Sequence, residues 1–79
     1  MTVIGYSVAA TGPEEVRLRV FTIAGRLVRT LVSRRVEPGY HEARWDGRDD
    51  HGLPAASGVY LYRADFGRTA LTRKMTLLR

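Results

Sequence analysis

The stretch from Gly39 to Gly52, G-Y-H-E-A-R-W-D-G-R-D-D-H-G, constrains the fold of this chain more than any other. Tyr40 to Trp45 alternates, with His41, Ala43 and Trp45 on one side and Tyr40, Glu42 and Arg44 on the other. That is the pattern of a strand with one buried face. The segment ends on the only tryptophan, and Asp46-Gly47 and His51-Gly52 follow. Glycine reaches positive φ without steric penalty and Asp tolerates it, so the chain can reverse directly after its largest apolar anchor. A large ring at the end of a short strand must find other strands to pack against.

The flanking sequence supplies them. Thr2 to Val8 carries Ile4, Tyr6 and Val8 in alternation, and Gly12-Pro13 marks a turn. Val16 to Ile23 is the cleanest strand, with Val16, Leu18 and Val20 on one face and Arg17 and Arg19 on the other. Ala24-Gly25 reads as a two-residue hairpin connection into a return strand, Arg26 to Val32. The apolar residues of that strand, Leu27, Val28, Leu31 and Val32, do not alternate, which predicts a bulge or strong twist. Ser33 to Pro38 reads as a basic loop, and Leu53 to Ala56 as a short edge segment. Val59 to Phe66 is apolar on both faces, as a central strand would be, with Tyr60 and Tyr62 opposite Val59 and Leu61. Gly67 turns the chain into Thr69 to Leu78, where Leu71, Met75 and Leu77 alternate. No stretch shows helical periodicity. Six or seven short strands separated by turn signals predict an all-β antiparallel sandwich, with barrel closure as the competitor.

Seventy-nine residues make a single domain, residues 1–79. A domain of this size buries only about 60% of its unfolded surface and has modest stability. No apolar run approaches the ~18 residues that span a bilayer, and no signal peptide is visible at the N-terminus. Met1 running directly into strand-like sequence suggests a piece, or the tail, of something longer. There is no cysteine, so neither a disulfide framework nor a thiolate metal site is available. The net charge of +5 invites a nucleic-acid reading, yet the twelve arginines are dispersed from Arg17 to Arg79. Most fall on the solvent side of alternating strands, where charge discourages edge-to-edge aggregation. A nucleic-acid footprint would cluster them and interleave aromatics, so no nucleic-acid partner is expected.

Candidate chemistry is sparse. Asp46, Asp49 and Asp50 suggest a calcium loop, but position 3 from Asp46 is Arg48 and position 12 is Ser57, where an EF-hand needs oxygen ligands. Carboxylates satisfying turn backbone are the simpler reading. His41 and His51 are the only histidines and do not make a zinc site by themselves. Ser57, His41 and an Asp can be assembled on paper into a triad, but Ser57 lacks the G-x-S-x-G elbow. No glycine loop cradles a phosphate. The expectation is a non-enzyme with no metal and no cofactor. The aromatic set Tyr6, Phe21, Trp45, Tyr60, Tyr62 and Phe66 reads as core and rim.

The order of motifs points further. Val16-x-Leu18-x-Val20-Phe21 is followed by Gly25-Arg26-Leu27-Val28-Arg29-Thr30-Leu31, then Pro38-Gly39-Tyr40-His41. Next come Trp45-Asp46-Gly47-Arg48-Asp49, Ser57-Gly58-Val59-Tyr60 and Arg73-Lys74-Met75. This series resembles the immunoglobulin-like domain of the flagellar hook-capping protein family. It is similar, too, to the C-terminal domains that end many secreted bacterial proteins, including type IX secretion sorting domains. The resemblance implies an immunoglobulin- or fibronectin-III-like sandwich, at the end of an exported protein. The implied core and motif residues are Val16, Leu18, Val20, Gly25, Trp45, Asp46, Gly47, Gly58 and Tyr60. Arg73, Lys74, Met75 and Leu77, in the tail that ends at Arg79, form a possible recognition element.

The leading expectation is a non-catalytic C-terminal module for secretion, sorting or cell-surface attachment, located outside the cell or on its surface. Its partners would be secretion or assembly machinery and upstream domains of the same chain. The alternatives are a hook-cap-type assembly module and an accessory ligand-binding domain of a secreted enzyme. Strand addition along Thr69 to Leu78 is one mechanism by which a partner could read the tail.

Overall fold

The computed structural model describes residues 1–9 and 11–78. Arg79, the end of the basic tail, lies outside the described residues. The described residues form an all-β sandwich of six strands: β1 (Thr2–Val8), β2 (Glu14–Thr22), β3 (Leu27–Val36), β4 (Gly39–Trp45), β5 (Gly58–Phe66) and β6 (Thr69–Leu77). β1 and β4 form one antiparallel sheet, and β3-β2-β5-β6 form the other. Every positive-φ position among the described residues is a glycine, and Gly25, Gly47 and Gly67 sit in turns that require it.

Alternation decides what faces inward. Val16, Leu18 and Val20 of β2 are 0%, 1% and 0% exposed, while Arg17 and Arg19 between them face outward. Two groups of side chains fill the space between the sheets. One is aliphatic: Ile4, Val8, Val16, Leu18, Val32, Val36, Ala43 and Ala64, with Tyr6 and Phe66 packed at its edge. The other gathers Val20, Trp45, Tyr60 and Leu77. β5 lies between β2 and β6, which explains its long apolar run.

Four local expectations are corrected. The segment from Ser33 to Val36 is not a basic loop but the continuation of β3, paired as Arg34↔Val16 and Val36↔Glu14. β3 is an edge strand, so Arg34 and Arg35 reach water while Val36 is buried. Charge on an edge is protective and does not break the strand. The β2–β3 connection is longer than two residues, running from Ile23 to Arg26. The Thr22 carbonyl accepts from Gly25 N and its hydroxyl from Arg26 N, which closes the wider turn. Leu53 to Ala56 contributes only an isolated bridge, Pro54 with Arg48. Phe21, one of the aromatics read as core and rim, belongs to neither buried group and lies on the outer side of β2, in phase with Arg17 and Arg19.

The irregularity of β3 has a definite form. The register steps from Leu18↔Val32 to Arg19↔Thr30, and from Val20↔Arg29 to Phe21↔Leu27. Leu31 and Val28 are thus the extra residues of two bulges. Both turn inward, Leu31 against both groups and Val28 against the Trp45 group.

Candidate functional site

Two features stand out from the plain sandwich: the acidic loop after β4 and the outer face of the larger sheet. The loop is built on Trp45. The indole is fully buried, packs edge-on against Tyr60 at 5.2 Å, and donates from Nε1 to Arg48 O at 3.0 Å. Gly47 follows at φ 77°, which permits the reversal. Asp46 Oδ1 accepts from Arg48 N at 3.0 Å. Asp49 Oδ1 accepts from His51 N and Leu53 N, both at 2.9 Å. Asp50 Oδ1 accepts from Thr30 N at 3.1 Å, and Asp50 N donates to Val28 O at 2.9 Å, joining the loop to β3.

One cation occupies the centre of this loop. Arg29 Nη1 donates to Asp46 Oδ1 at 3.2 Å, Arg48 O at 3.3 Å and Asp49 O at 3.5 Å, with Asp50 Oδ1 3.9 Å from Nε. The oxygen-rich turn that suggested calcium thus surrounds a guanidinium supplied by the neighbouring strand. No group of three or more His, Cys, Asp or Glu among the described residues is arranged to hold a metal ion. Local spacing could not reveal Arg29, because its partners stand 17 to 20 residues away.

The residues of the paper triad are not brought together. His41 stacks on Tyr6 at 5.6 Å, and its Nε2 donates to Glu37 O at 2.7 Å. Tyr6 in turn meets Phe66 at 6.0 Å. Ser57 precedes the opposite end of β5, a strand nine residues long. A recess near Phe66 is lined by Ser7, Val8, Glu14, Gly67 and Thr69, of which Ser7, Gly67 and Thr69 are exposed and Glu14 is half-buried.

The structure places the tail residues in a strand. Arg73 pairs with Tyr62, Lys74 with Leu61 and Met75 with Tyr60. Arg73 and Lys74 are exposed, Met75 is half-buried and Leu77 is buried in the Trp45 group. Among the described residues, β6 is paired along one edge alone, with β5.

On the outer face of the larger sheet, Asp65 receives Arg19 Nη2 and Arg63 Nε, each at 3.0 Å. Partial burial would raise the Asp65 pKa, but the hydrogen bonds and charges of Arg63 and Arg19 outweigh it and hold the carboxyl below its usual range. The Arg19 guanidinium also lies over the Phe21 ring, 5.3 Å from its centre. Arg19 Nε is buried and has no acceptor among the described residues. The signal for this face was present in the sequence as parity: Phe21 shares the phase of Arg17 and Arg19, and Leu61 that of Arg63.

The family profile of the FlgD Ig-like domain matches residues 4–68. The chain belongs to that family. A search of curated proteins and a search of solved structures returned no match. The FlgD Ig-like match runs from within β1 to the β5–β6 turn and includes Val16, Leu18, Val20, Gly25, Trp45, Asp46, Gly47, Gly58 and Tyr60. Arg73, Lys74, Met75 and Leu77 lie beyond it. The match supports the hook-capping side of the resemblance; the sorting-domain side has no counterpart in it. No helix among the described residues is long and apolar enough to cross a membrane.

Proposed function

We propose that this chain is a hook-cap-type assembly module, a non-catalytic sandwich that acts by binding other proteins. The observation that carries this reading is membership of the FlgD Ig-like family across residues 4–68. The partners of such a module are the subunits it helps to place, together with neighbouring domains of its own chain. The polar loop and turns fit this reading: their hydrogen bonds are spent on holding the fold, as the Arg29 cage and the Trp45–Arg48 bond illustrate.

The sorting role weighed from the resemblance is the weaker alternative. Its candidate signal is β6, which is paired with β5 from Thr69 to Leu77 and anchors the core through Leu77. A receptor for such a signal would have to read a folded edge, not a free peptide.

Co-sedimentation of the purified 79-residue chain with polymerised flagellar hook subunits tests the proposal. Saturable co-sedimentation that survives moderate salt is expected. Chain that stays wholly in the supernatant would remove the hook-cap reading. Export of a reporter that depends on Thr69–Leu77 would then favour sorting.

A further inference from the structure

The outer face of the β3-β2-β5-β6 sheet is divided into two zones by its register. One crosswise row is Leu27–Phe21–Leu61–Lys74, and the next is Thr30–Arg19–Arg63–Thr72. Beside the first row, Val59 pairs with Thr76. Leu27 is 47% exposed and Val59 46% exposed. Phe21 and Leu61 are half-buried, yet neither belongs to the two groups that fill the sandwich. A β-sandwich ordinarily turns polar residues outward along such strands. Here an apolar stripe crosses three adjacent strands and ends on a lysine.

The charges around the stripe are one-sided. Arg17, Arg19, Arg63 and Lys74 face outward around it, and Asp65 and Glu15 are the acidic residues that β2 and β5 place on this face. Asp65 is already shared between Arg19 and Arg63. Arg19 keeps one buried donor, Nε, without an acceptor among the described residues. Such a donor is costly to leave unpaired and gains most from a carboxylate. A second copy of the chain would bring the same cations against one another, so like charge disfavours self-pairing through this face.

We infer that this face is a docking surface for an acidic protein segment whose apolar side chains cover Phe21, Leu61, Leu27 and Val59 while its carboxylates meet Arg19, Arg63 and Lys74. The inference rests on the assembly reading for its purpose, and on the register and the charges for its location. Aromatic and arginine side chains together are the common anchors of protein interfaces.

The test uses the isotope-labelled 79-residue chain and a soluble, end-blocked peptide of alternating Glu and Leu. Amide shifts are expected at Phe21, Leu61, Arg19 and Arg63, and a peptide of alternating Lys and Leu should produce none of them. Arg19→Glu should weaken the affinity by about tenfold or more. Phe21→Ser should act in the same direction, and Val59→Ser serves as the milder variant should the first lose its fold. No shift at about 1 mM peptide would overturn the inference, as would equal binding of the Lys peptide. Shifts confined to Thr69–Leu77 would assign binding to the β6 edge and overturn it too. If hook polymers bind the wild type and the folded Arg19→Glu variant equally, this surface is wrong while the assembly reading stands. If hook polymers do not bind but the Glu peptide docks on this face, the surface stands and the assembly reading fails.

Discussion

At one end of the sandwich Trp45 meets Tyr60 edge-on in full burial, and the loop from Asp46 to Ala55 folds over that end. At the other end Tyr6 stacks on His41 and tilts against Phe66, all three half-buried, with Phe66 lining a recess. Both ends use aromatic rings to finish a core too short to close itself. They differ in what covers the rings. The Trp45 end has a loop fixed by backbone hydrogen bonds and by Arg29, whereas the Tyr6 end relies on its rings and the short turns at Gly67 and Glu37-Pro38. The lesson is that a polar loop can seal a core when its own carbonyls and carboxylates are satisfied first.

The hardest test of this contrast is Trp45→Ala. Removing a fully buried tryptophan costs about 3–5 kcal/mol, a large part of the stability of a domain this small. The variant should be unfolded or nearly so by circular dichroism. A folded, two-state variant that loses less than about 1 kcal/mol in urea would show that Trp45 is not the anchor of this end. Leu18→Ala, in the aliphatic group, should cost about 2–5 kcal/mol. Because Leu18 belongs to the aliphatic group and not to the Trp45 group beneath the loop, the fold that remains should keep the hydrogen-exchange protection of the loop amides Asp50 and Ala55 relative to the strands. Loss of loop protection ahead of the strands would erase the distinction between the two groups.

Arg29→Met separates the loop from the ring beneath it. The methionine keeps much of the side chain's bulk and removes the donors to Asp46, Arg48 and Asp49. These bonds are partly exposed, so the loss should be about 1–2 kcal/mol. Exchange should quicken first at Asp50 N and Ala55 N, while β1 and β4 hold. Tyr60→Phe is milder. It removes the bond from the hydroxyl to Ala56 O, 2.6 Å long, and should cost about 1 kcal/mol in denaturant titration. Greater loss than in Arg29→Met would mean that the phenol, and not the guanidinium, fastens this end.

Much of the fold was legible because most strands have one wet face. Val16, Leu18 and Val20 against Arg17 and Arg19 could hardly be read another way, and the limits of β1 were evident from Ile4, Tyr6 and Val8. β3 was harder for a physical reason. Its two bulges shift the phase at Val28 and Leu31, and its edge position admits Arg34 and Arg35, so a strand looked like a strand followed by a loop. The role of Arg29 was hidden by sequence distance, since the turn it fills is complete only after β4. Phe21 was misplaced because its apolar character outweighed its phase. The outward position of Phe21 was nonetheless marked by its parity with Arg17 and Arg19.

The smallest expected effect concerns that outer face and has a definite pH signature. Asp65 has a pKa held below the usual range in the folded chain: burial opposes the shift, and the guanidinium groups of Arg63 and Arg19 prevail. In the unfolded chain an Asp titrates near ~3.9. Folding therefore favours the charged carboxylate, so its contribution is fully present above that unfolded value. The contribution fades as pH falls through the lower folded value. The pairs are partly exposed, with side-chain accessibilities of 21% for Arg19 and 48% for Arg63, so the contribution should be modest. Asp65→Asn should cost less than about 1 kcal/mol at neutral pH. The gap between wild type and variant should narrow steadily below about pH 4. Urea titrations at several pH values measure it directly. A gap that is constant with pH would mean that Asp65 contributes through packing alone. One that widens in acid would mean that the guanidinium groups do not favour its charged form.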